Sequence, residues 1–442
     1  MPPRLGRLIL RTMCANALTE TDPVDLSLLP ASAKVVDGRI SVGGCDLLEV
    51  AQEFGTPLFV YDAAELRNHF AEAVEHFGPG VAYATKAFLT PGLAKLASET
   101  GISFDVSTGG EYECVRRAGV DASRLVMHGN NKQPDELRRA VVEGVQWIVV
   151  DNFDELDRLE TLAAELGQGV DLLVRINPGI EVHTHEFIST GNRDSKFGFP
   201  TWTDDAARAI ERIRDHELLR FKGIHLHIGS FVLQIENFIE ALDTVAPMVR
   251  QYSSDVMIVG GGLGVRYLNE DECPSFADWA QAILAWGRET LPGVTLLAEP
   301  GRSMVAQAGL TLYTLGSLQT KGDRTFAAVD GGMSDNPRPM LYDSGYEAFS
   351  VNDPQAERPV AAQVVGRHCE SGDIVVPRAF LPESLKVGDV VCTPVTGAYG
   401  YTMASNYNMV TRPAVVFVED GTATLMTRRE TYDDLFAREV GL

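Results

Sequence analysis

Eight short apolar runs, each ending in glycine or polar residues, are the feature that most constrains the fold of this chain. They recur between residues 81 and 301 and alternate with segments of helical spacing and charge, such as 134–144 and 152–167. The runs are VAYATKA (81–87), ISFDVST (102–108), RLVMHG (124–129), WIVVD (147–151), DLLVRIN (171–177), KGIHLHIGS (222–230), DVMIVGGG (255–262) and TLLAEPG (295–301). Strand and helix alternating eight times predict an α/β fold, a TIM-like (β/α)8 barrel, in preference to a doubly wound open sheet.

Polar residues stand at the C-terminal end of each run, and barrel active sites are built at those strand ends. Lys86 lies at the end of the first run. A lysine buried at the end of an apolar strand loses its proton readily, so Lys86 is a candidate nucleophile for Schiff-base formation. A structural lysine that reaches out to solvent is the commoner outcome for one such residue taken alone. The eight ends together predict a single site that contains Lys86.

Three more strand ends carry groups that suit one cofactor. The GGG sequence at 260–262 ends the seventh run, where backbone N–H groups can hold a phosphate, although a tight turn also needs glycine. Glu299 ends the eighth run and can keep a pyridine nitrogen protonated. His227 and Ser230 end the sixth run, where an imidazole can lie against a ring and a hydroxyl can donate to phosphate. A core histidine is the default interpretation of His227 alone, but with Lys86 these groups predict pyridoxal 5'-phosphate (PLP) as the cofactor.

The pattern changes after about residue 307, which predicts a second domain. Short β-type runs separated by Gly, Pro and Asp indicate a mostly antiparallel β-barrel or sandwich. A chain of 442 residues is also long for one compact core. We expect a flexible N-terminal tail at 1–30, or translation from Met13. The other expected regions are strands of the β domain at 31–47, the PLP-binding barrel at 48–304 and the C-terminal β domain at 305–442.

Composition restricts the partners and the compartment. A net charge of −23 and a pI near 4.8 argue against nucleic acid or an anionic membrane as a partner. No apolar run approaches the length of a membrane-spanning helix. The six cysteines are widely spaced without a CxxC pair, which favours reduced thiols and a cytoplasmic location.

Several motifs resemble those of a known family. YATKA (83–87), HIGS (227–230), GGGLG (260–264), EPGR (299–302), HCESGD (368–373) and GAYGY (397–401) are similar to motifs of the PLP-dependent decarboxylases of fold type III. Within that group the chain most resembles the diaminopimelate decarboxylases. That similarity is strengthened by HGNNK (128–132), HTHEFISTG (183–191), DGGMSDNPRPMLY (330–342) and RRETYDDL (428–435). The resemblance runs from about residue 42 to the C-terminus and implies a barrel with a β domain.

The resemblance implies a role for each matching residue. It implies that Lys86 holds PLP, that His227 stacks on the ring and that Glu299 pairs with the pyridine nitrogen. Further cofactor contacts are implied for Asp105, Arg175, Ser230, Gly260, Gly261, Gly262 and Tyr399. Substrate contacts are implied for Arg302, Arg338, Tyr342, Glu370 and Tyr399.

Two of the implied site residues come from a partner subunit. The resemblance implies that Cys369 and Glu370 reach the site across the interface of an obligate homodimer. It makes Cys369 the donor of the proton that replaces CO2, and it suits Glu370 to a distal ammonium. A small buried hydrophobe is the commoner fate of a free cysteine, but the position of Cys369 in HCESGD favours the functional interpretation.

The reaction implied is the decarboxylation of meso-2,6-diaminopimelate to L-lysine and CO2 in lysine biosynthesis. Decarboxylases of simple diamine precursors have no distal carboxylate to bind and usually carry aspartate after the cysteine, where this chain has Glu370. We expect Arg338 to bind the carboxylate that is not removed, since arginine offers bidentate donors. The alternative is that Arg338 forms a surface ion pair of little consequence.

Other functions stay open at this point. Phe88 stands where the family often has Asn, and Phe231 where it usually has Gln. Bulky apolar groups near the cofactor suggest a different substrate. A related decarboxylase of ornithine, arginine, lysine or a side-pathway substrate is therefore an alternative. The pairs His183/His185 and His225/His227 also resemble the HxH ligands of a metal-dependent amidohydrolase. A non-catalytic PLP-binding protein is the last alternative, although it has no need of Cys369 or Glu370.

Overall fold

The computed structural model describes residues 24–180 and 195–441, which form three sheets. The HTHEFISTG segment and most of the expected N-terminal tail lie outside the described residues. The first sheet is the antiparallel set β1 (Lys34–Val36), β2 (Arg39–Val42) and β3 (Cys45–Asp46). It is followed by α1 (Leu47–Phe54) and β4 (Leu58–Asp62).

The second sheet is the predicted barrel, and all eight predicted strands are present. Its parallel strands are β5 (Ala82–Ala84), β6 (Ser103–Val106), β7 (Leu125–Met127), β8 (Trp147–Val150), β9 (Val170–Asn177), β11 (Leu219–Leu226), β12 (Val256–Ile258) and β13 (Thr295–Leu297), with the short β10 (Phe199–Pro200) beside β9. The Ala82 N–H donates to the Ala298 carbonyl and the Ala84 N–H to the Pro300 carbonyl, both at 3.0 Å. These two bonds join the first strand to the chain just after the last one, so the barrel closes.

Helices outside the barrel begin close to the strand ends. They are α2 (Ala63–Phe77), α3 (Pro91–Glu99), α4 (Gly109–Arg117), α5 (Pro134–Glu143), α6 (Phe153–Leu166), α7 (Asp205–Asp215), α8 (Ile235–Gln251) and α9 (Phe276–Thr290). Thr90, Thr108 and Asn152 accept backbone N–H bonds from the first turns of α3, α4 and α6. Such N-caps stabilise a helix start by about 1 kcal/mol. Because these helices begin soon after the strands end, the loops at the C-terminal end of the barrel are short. The side chains at the strand ends therefore lie close together.

The third sheet forms the second domain and is mostly antiparallel. After α10 (Arg302–Val305), its strands are β14 (Gly309–Lys321), β15 (Arg324–Val329), β16 (Phe349–Ser350), β17 (Val360–Val365), β18 (Ile374–Leu381), β19 (Val390–Thr393), β20 (Ala414–Glu419) and β21 (Thr422–Thr427). The short helices α11 (Arg338–Tyr342) and α12 (Tyr432–Phe436) complete it. The predicted β-rich domain is confirmed, although Pro377 and Arg378 interrupt the apolar pattern of one of its strands, β18.

The predicted start of the barrel at residue 48 needs correction. Strand β4 (Leu58–Asp62) pairs antiparallel with β14 and parallel with β20, so it belongs to the second domain. The apolar side chains of 40–47 share one core with those of β4, β14 and β20. We therefore propose that the β domain includes residues 31–62 and that the barrel begins at Ala63. Within the described ranges, no helix has the length and apolar content needed to span a bilayer.

Candidate active site

A cavity of about 330 Å³ lies at the C-terminal ends of the barrel strands, where the sequence predicts the site. It brings together most of the predicted residues: Lys86, Asp105, Arg175, His227, Ser230, Gly261, Gly262, Glu299, Arg302 and Tyr399. It is also lined by residues that were not predicted: Ala84, Ser107, His128, Gly129, Asn130, Asn131, Phe197, His225 and Gly301. The predicted residues outside its lining are Gly260, Arg338, Tyr342, Cys369 and Glu370.

Lys86 lies in a 3-10 turn directly after β5, and its side chain is exposed to the cavity. Lys86 was predicted to be buried at the end of the strand; it does follow the strand, which ends at Ala84, but it is not buried. The backbone around it is held from the second domain, where the Tyr399 N–H donates to the Ala87 carbonyl at 2.8 Å. The Thr402 hydroxyl donates to the Lys86 carbonyl at 3.3 Å. The second domain thus fixes the turn while the amine points into the cavity.

The three glycines after β12 allow strand ends to approach closely. A Cβ on Gly261 would lie 2.2 Å from the Glu299 carbonyl oxygen, and one on Gly262 would lie 2.2 Å from the Gly229 carbonyl oxygen. Gly260 has φ +67° and packs against the end of β11 behind the cavity wall. Only glycine fits such contacts, so packing alone explains the GGG sequence. Gly261 and Gly262 nevertheless present backbone at the cavity wall beside Ser230.

His227 and Arg302 define two sides of the cavity. Burial, with the positive charges of Lys86 and Arg175 nearby, holds the pKa of His227 well below its usual range, so its imidazole is neutral. Its Nδ1 accepts a hydrogen bond from the Gly261 N–H at 3.3 Å. The Arg302 guanidinium donates to the Ser230 hydroxyl at 2.7 Å and lies with its Cζ 4.8 Å from the centre of the Tyr399 ring.

Glu299 lies between two histidines that the sequence analysis did not assign to the site. His128 Nε2 is 2.8 Å from Oε1 and His225 Nε2 is 2.9 Å from Oε2, and all three side chains are buried. Burial opposes ionisation of Glu299, but the two imidazoles hold its pKa well below the usual range. Asp105, whose Oδ1 is 3.8 Å from His128 Nε2, is buried too, and burial raises its pKa to about 7.

A signal for both histidines was present in the sequence. His128 ends the third apolar run, and His225 precedes His227 by two residues on the same strand. Alternate residues of a strand face the same side, so a functional His227 also directs His225 toward the barrel interior. HGNNK contributed only to the family resemblance, and His225 only to the metal-site alternative.

Arg338 does not line the cavity but is linked to Arg302 through Tyr267. The Arg302 guanidinium donates to the Tyr267 hydroxyl at 2.6 Å, and the Arg338 Cζ lies 4.3 Å from the centre of the same ring. Arg338 also donates to the hydroxyl of Tyr346. Arg338 is only 4% exposed, so the alternative of a surface ion pair is wrong. Tyr342 is half-buried at the end of α11.

Phe88 and Phe231, which were expected near the cofactor, do not line the cavity themselves. Phe88 is fully buried and stacks on Tyr61 of β4, with ring centres 4.2 Å apart. Phe231 has φ +62° and packs beside Arg302 and Tyr267. Phe88 therefore contributes to the contact between the domains, and Phe231 supports the guanidinium of Arg302.

Cys369 and Glu370 are exposed and lie outside the cavity lining of their own chain. Their loop is nevertheless held in place. The Cys369 N–H donates to Asn408 Oδ1 at 3.2 Å, and the ring of His368 lies between Asn408 and Ser334, at 3.3 and 2.8 Å. An ordered loop that presents a thiol and a carboxylate to solvent suits action on another subunit.

The metal-dependent alternative finds little support in the described residues. His183 and His185 lie outside them, and His227 does not belong to the group of described side chains around His225 that is spaced closely enough for a metal ion. In the described part of the chain, the side chains spaced closely enough for a metal ion are His128, His225 and Glu299. Their 2.8 and 2.9 Å contacts are hydrogen bonds that each use a different carboxylate oxygen. An exposed lysine, an ionised carboxylate, a neutral imidazole and glycine backbone beside a serine fit PLP better.

Comparison with known proteins agrees with this fold and site. A family model described as the pyridoxal-binding domain of pyridoxal-dependent decarboxylases matches residues 63–306, so the chain is a PLP-dependent carboxy-lyase. Diaminopimelate decarboxylase of Bacillus subtilis (strain 168) is 42% identical over 417 residues, covering 90% of this chain and 94% of that protein. The chain belongs to the diaminopimelate decarboxylase family.

Solved structures give the same answer. The crystal structure of diaminopimelate decarboxylase from M. jannaschii has a TM-score of 0.86 and 30% identity, covering 93% of this chain and 98% of that one. The enzyme of Helicobacter pylori complexed with L-lysine has a TM-score of 0.83 and 32% identity, covering 88% and 98%. The barrel and the second domain are therefore shared with enzymes of this family.

Proposed function

We propose that this enzyme removes CO2 from meso-2,6-diaminopimelate and releases L-lysine, as the lysine-forming step of biosynthesis. The observation that carries the choice of substrate is the pair of buried guanidiniums of Arg302 and Arg338 on Tyr267, next to the cavity. A carboxylate is the group that two guanidiniums bind best. Diaminopimelate has a second carboxylate to occupy this place, whereas lysine and ornithine do not.

Different residues of the cavity are proposed to bind different parts of the cofactor. Bound PLP supplies an electron sink for the pair of electrons left when CO2 departs. Lys86 would supply the amine that anchors it, and ionised Glu299 would accept the N–H of its ring. Neutral His227 would pack against the ring, and the hydroxyl of Ser230 with the backbone at Gly261 would hold the phosphate. Gly260, Gly262, Asp105, Arg175 and Tyr399 complete the proposed cofactor contacts.

We propose that residues on the β-domain side of the cavity bind and orient the substrate. We assign the carboxylate that stays in the product to Arg338, with Arg302, Tyr342 and Tyr399 around it. Arg302 is the one of these two guanidiniums that lines the cavity. The distal ammonium is assigned to Glu370.

Cys369 and Glu370 are proposed to act from a partner subunit in a homodimer. Both are exposed in this chain, and four partly exposed apolar side chains lie on segments adjoining their loop: Met340, Leu341, Tyr407 and Met409. An apolar patch of this kind beside a polar loop is typical of a protein interface. The partner's thiol then returns the proton that replaces CO2. The cysteines of the described residues are all free, which supports a cytoplasmic location.

Substrate choice is tested by incubating the PLP-loaded enzyme with meso-diaminopimelate, lysine, ornithine and arginine and measuring CO2 and the amine product. We expect diaminopimelate to give lysine with a kcat/KM far above that of the other three. Borohydride reduction followed by peptide mapping should place the cofactor on Lys86. A preference for lysine or ornithine overturns the proposed substrate, and a label on any other lysine overturns the proposed anchor.

A further inference from the structure

We propose that His128 and His225 are positioning residues that clamp both oxygens of Glu299 and aim its carboxylate at the ring nitrogen of the cofactor. The inference rests on the proposed pairing of Glu299 with that nitrogen. It assigns a purpose to two histidines that line the cavity without a part in the reaction.

The geometry of the clamp is symmetrical. Each imidazole uses its Nε2 atom, and each takes a different oxygen of Glu299, at 2.8 and 2.9 Å. The exposed fractions are 5% for His128, 1% for His225 and 5% for Glu299, so water does not compete for these bonds. A carboxylate has about four lone-pair sites, and the two imidazoles use two of them. Glu299 can therefore accept a third hydrogen bond without losing the first two.

The histidines are themselves held by different elements of the barrel. His225 lies in β11, paired in register with Arg175 of β9. His128 follows β7 and begins a loop fixed by the buried amine of Lys132. That amine donates to the Gly129 carbonyl at 2.9 Å and to Glu155 at 2.7 Å. Two supports from separate strands prevent the carboxylate from turning about its side-chain torsions.

The charges around the clamp favour a carboxylate over a carboxylic acid. Burial lowers the pKa of His225 to about 4, so it is neutral at pH 7 and donates through Nε2. Burial opposes protonation of His128 as well, but Asp105 and Glu299 raise its pKa above the usual value. Arg175, His227 and Asp105 also interact electrostatically with Glu299. Two donors thus stabilise the anion, and at least one of them is a neutral ring.

Cofactor binding, not turnover, gives the sharpest test. The probes are PLP and a carbocyclic analogue in which C–H replaces the ring nitrogen, titrated into the apoenzyme by absorbance or fluorescence. His128→Leu and His225→Leu should each weaken PLP binding about tenfold or more, which is the value of one hydrogen bond to a charged group. Binding of the analogue should change much less, because it has no nitrogen for Glu299 to meet.

Conservative variants separate positioning from packing. His128→Gln and His225→Gln place an amide N–H near the position of Nε2 and should recover most of the preference for PLP over the analogue. Glu299→Gln should abolish the preference for PLP over the analogue. In the Glu299→Gln background, the histidine substitutions should then leave the ratio of the two affinities unchanged. His76→Gln, a change on the outer helix α2, is the matched control and should leave both affinities unchanged.

Several results would overturn the clamp. Equal losses for PLP and the analogue would mean that the histidines merely support the wall, as would failure of the glutamine variants to restore the preference. Zinc that co-purifies and disappears in the variants would mean that the cluster is a metal site. If the leucine variants do not fold, the glutamine variants and Glu299→Gln still distinguish positioning of Glu299 from support of the cavity wall. A wild type that binds PLP selectively but releases no CO2 from diaminopimelate contradicts the proposed function and leaves the clamp standing.

Discussion

The substrate-binding role that we propose for Arg338 depends on an indirect connection to the cavity. Arg338 does not line the cavity, yet its charge lies against Tyr267, which holds Arg302 in the cavity wall. The backbone order of the chain places these residues in unrelated segments, so their meeting was not predictable from motif spacing. The resemblance identified both arginines, but only the structure shows the tyrosine between them.

Replacing Arg338 with alanine should lower kcat/KM for diaminopimelate without releasing the cofactor. Loss of a buried, charge-assisted contact typically costs about 2–5 kcal/mol, much of it from the group left unpaired. Steady-state kinetics with the wild type and Arg338→Ala measure the change, and PLP titration checks the cofactor. Arg378→Ala is the control, because Arg378 also lies over an aromatic ring, that of Phe380, but is exposed and does not line the cavity. A silent Arg338→Ala variant would remove the basis for the assigned substrate.

At the scale of elements, the barrel was predictable and the domain boundary was not. Each barrel strand is an apolar run with a functional end, so local composition and position both identify it. Strand β4 has the same composition, but its partners β14 and β20 lie about 250 and 350 residues later in the chain. Composition cannot distinguish a strand paired with its neighbours from one paired at such a distance. The sequence places His128 and His225 at or near strand ends, but it does not show that both meet Glu299, because the arrangement of the strands around the barrel brings the three side chains together.

The loop after β7 depends on a buried ion pair. Lys132 and Glu155 are 2.7 Å apart, and both side chains are almost completely buried. Lys132→Met should lower the free energy of unfolding by about 3–5 kcal/mol, because the carboxylate of Glu155 stays behind without its cation. The double variant Lys132→Met/Glu155→Met should regain much of this loss. Urea unfolding measures both.

The exposed pair Arg138–Glu165 provides the comparison for that experiment. Both of its side chains are more than half exposed. Arg138→Ala should cost at most about 1 kcal/mol, as surface ion pairs do. A Lys132→Met variant as stable as Arg138→Ala would contradict the role given to the loop anchor.

The segment between β15 and α11 contains a carboxyl group whose protonation depends on folding. Burial raises the pKa of Asp335 to about 7, whereas an unfolded aspartate titrates near 3.8. The folded state therefore binds the extra proton between these two values, so this group's stabilising contribution is complete below pH 3.8 and is lost as pH rises to 7. Asp335→Asn removes the titration but keeps an acceptor for the Gly332 N–H.

Relative to wild type, Asp335→Asn should thus become more stable as pH rises from about 4 to 7. The free energy of unfolding of Asp335→Asn relative to wild type should rise by about 4 kcal/mol across that range. This follows from a shift of about three pKa units at 1.36 kcal/mol for each unit. Urea unfolding at several pH values measures it. A difference that stays constant with pH would show that Asp335 is already ionised in the folded protein.

At the scale of the whole molecule, the two domains share one site. The barrel supplies Lys86, Glu299 and the histidines, while the second domain supplies Tyr399 and fixes the turn that carries Lys86. The same domain carries Cys369 and Glu370, which are exposed and do not line the cavity of their own chain. In the homodimer that we propose, a second copy of the chain would bring Cys369 and Glu370 to this site. The acidic surface implied by the charge of −23 does not prevent this, because the side chains beside the Cys369 loop are apolar.

Mixing two inactive variants tests this arrangement. Lys86→Ala has no anchor for the cofactor and Cys369→Ala has no proton donor, but a mixed dimer contains one site with neither change. Random exchange makes half of the dimers mixed, so we expect about a quarter of the wild-type activity in the mixture. The measurement is lysine formation after co-expression or controlled subunit exchange, with exchange proved by two purification tags. The double variant mixed with itself is the control and should stay inactive. No recovery in a mixture with proven exchange would mean that each chain builds its site alone, and the exposed thiol of Cys369 would then need another explanation.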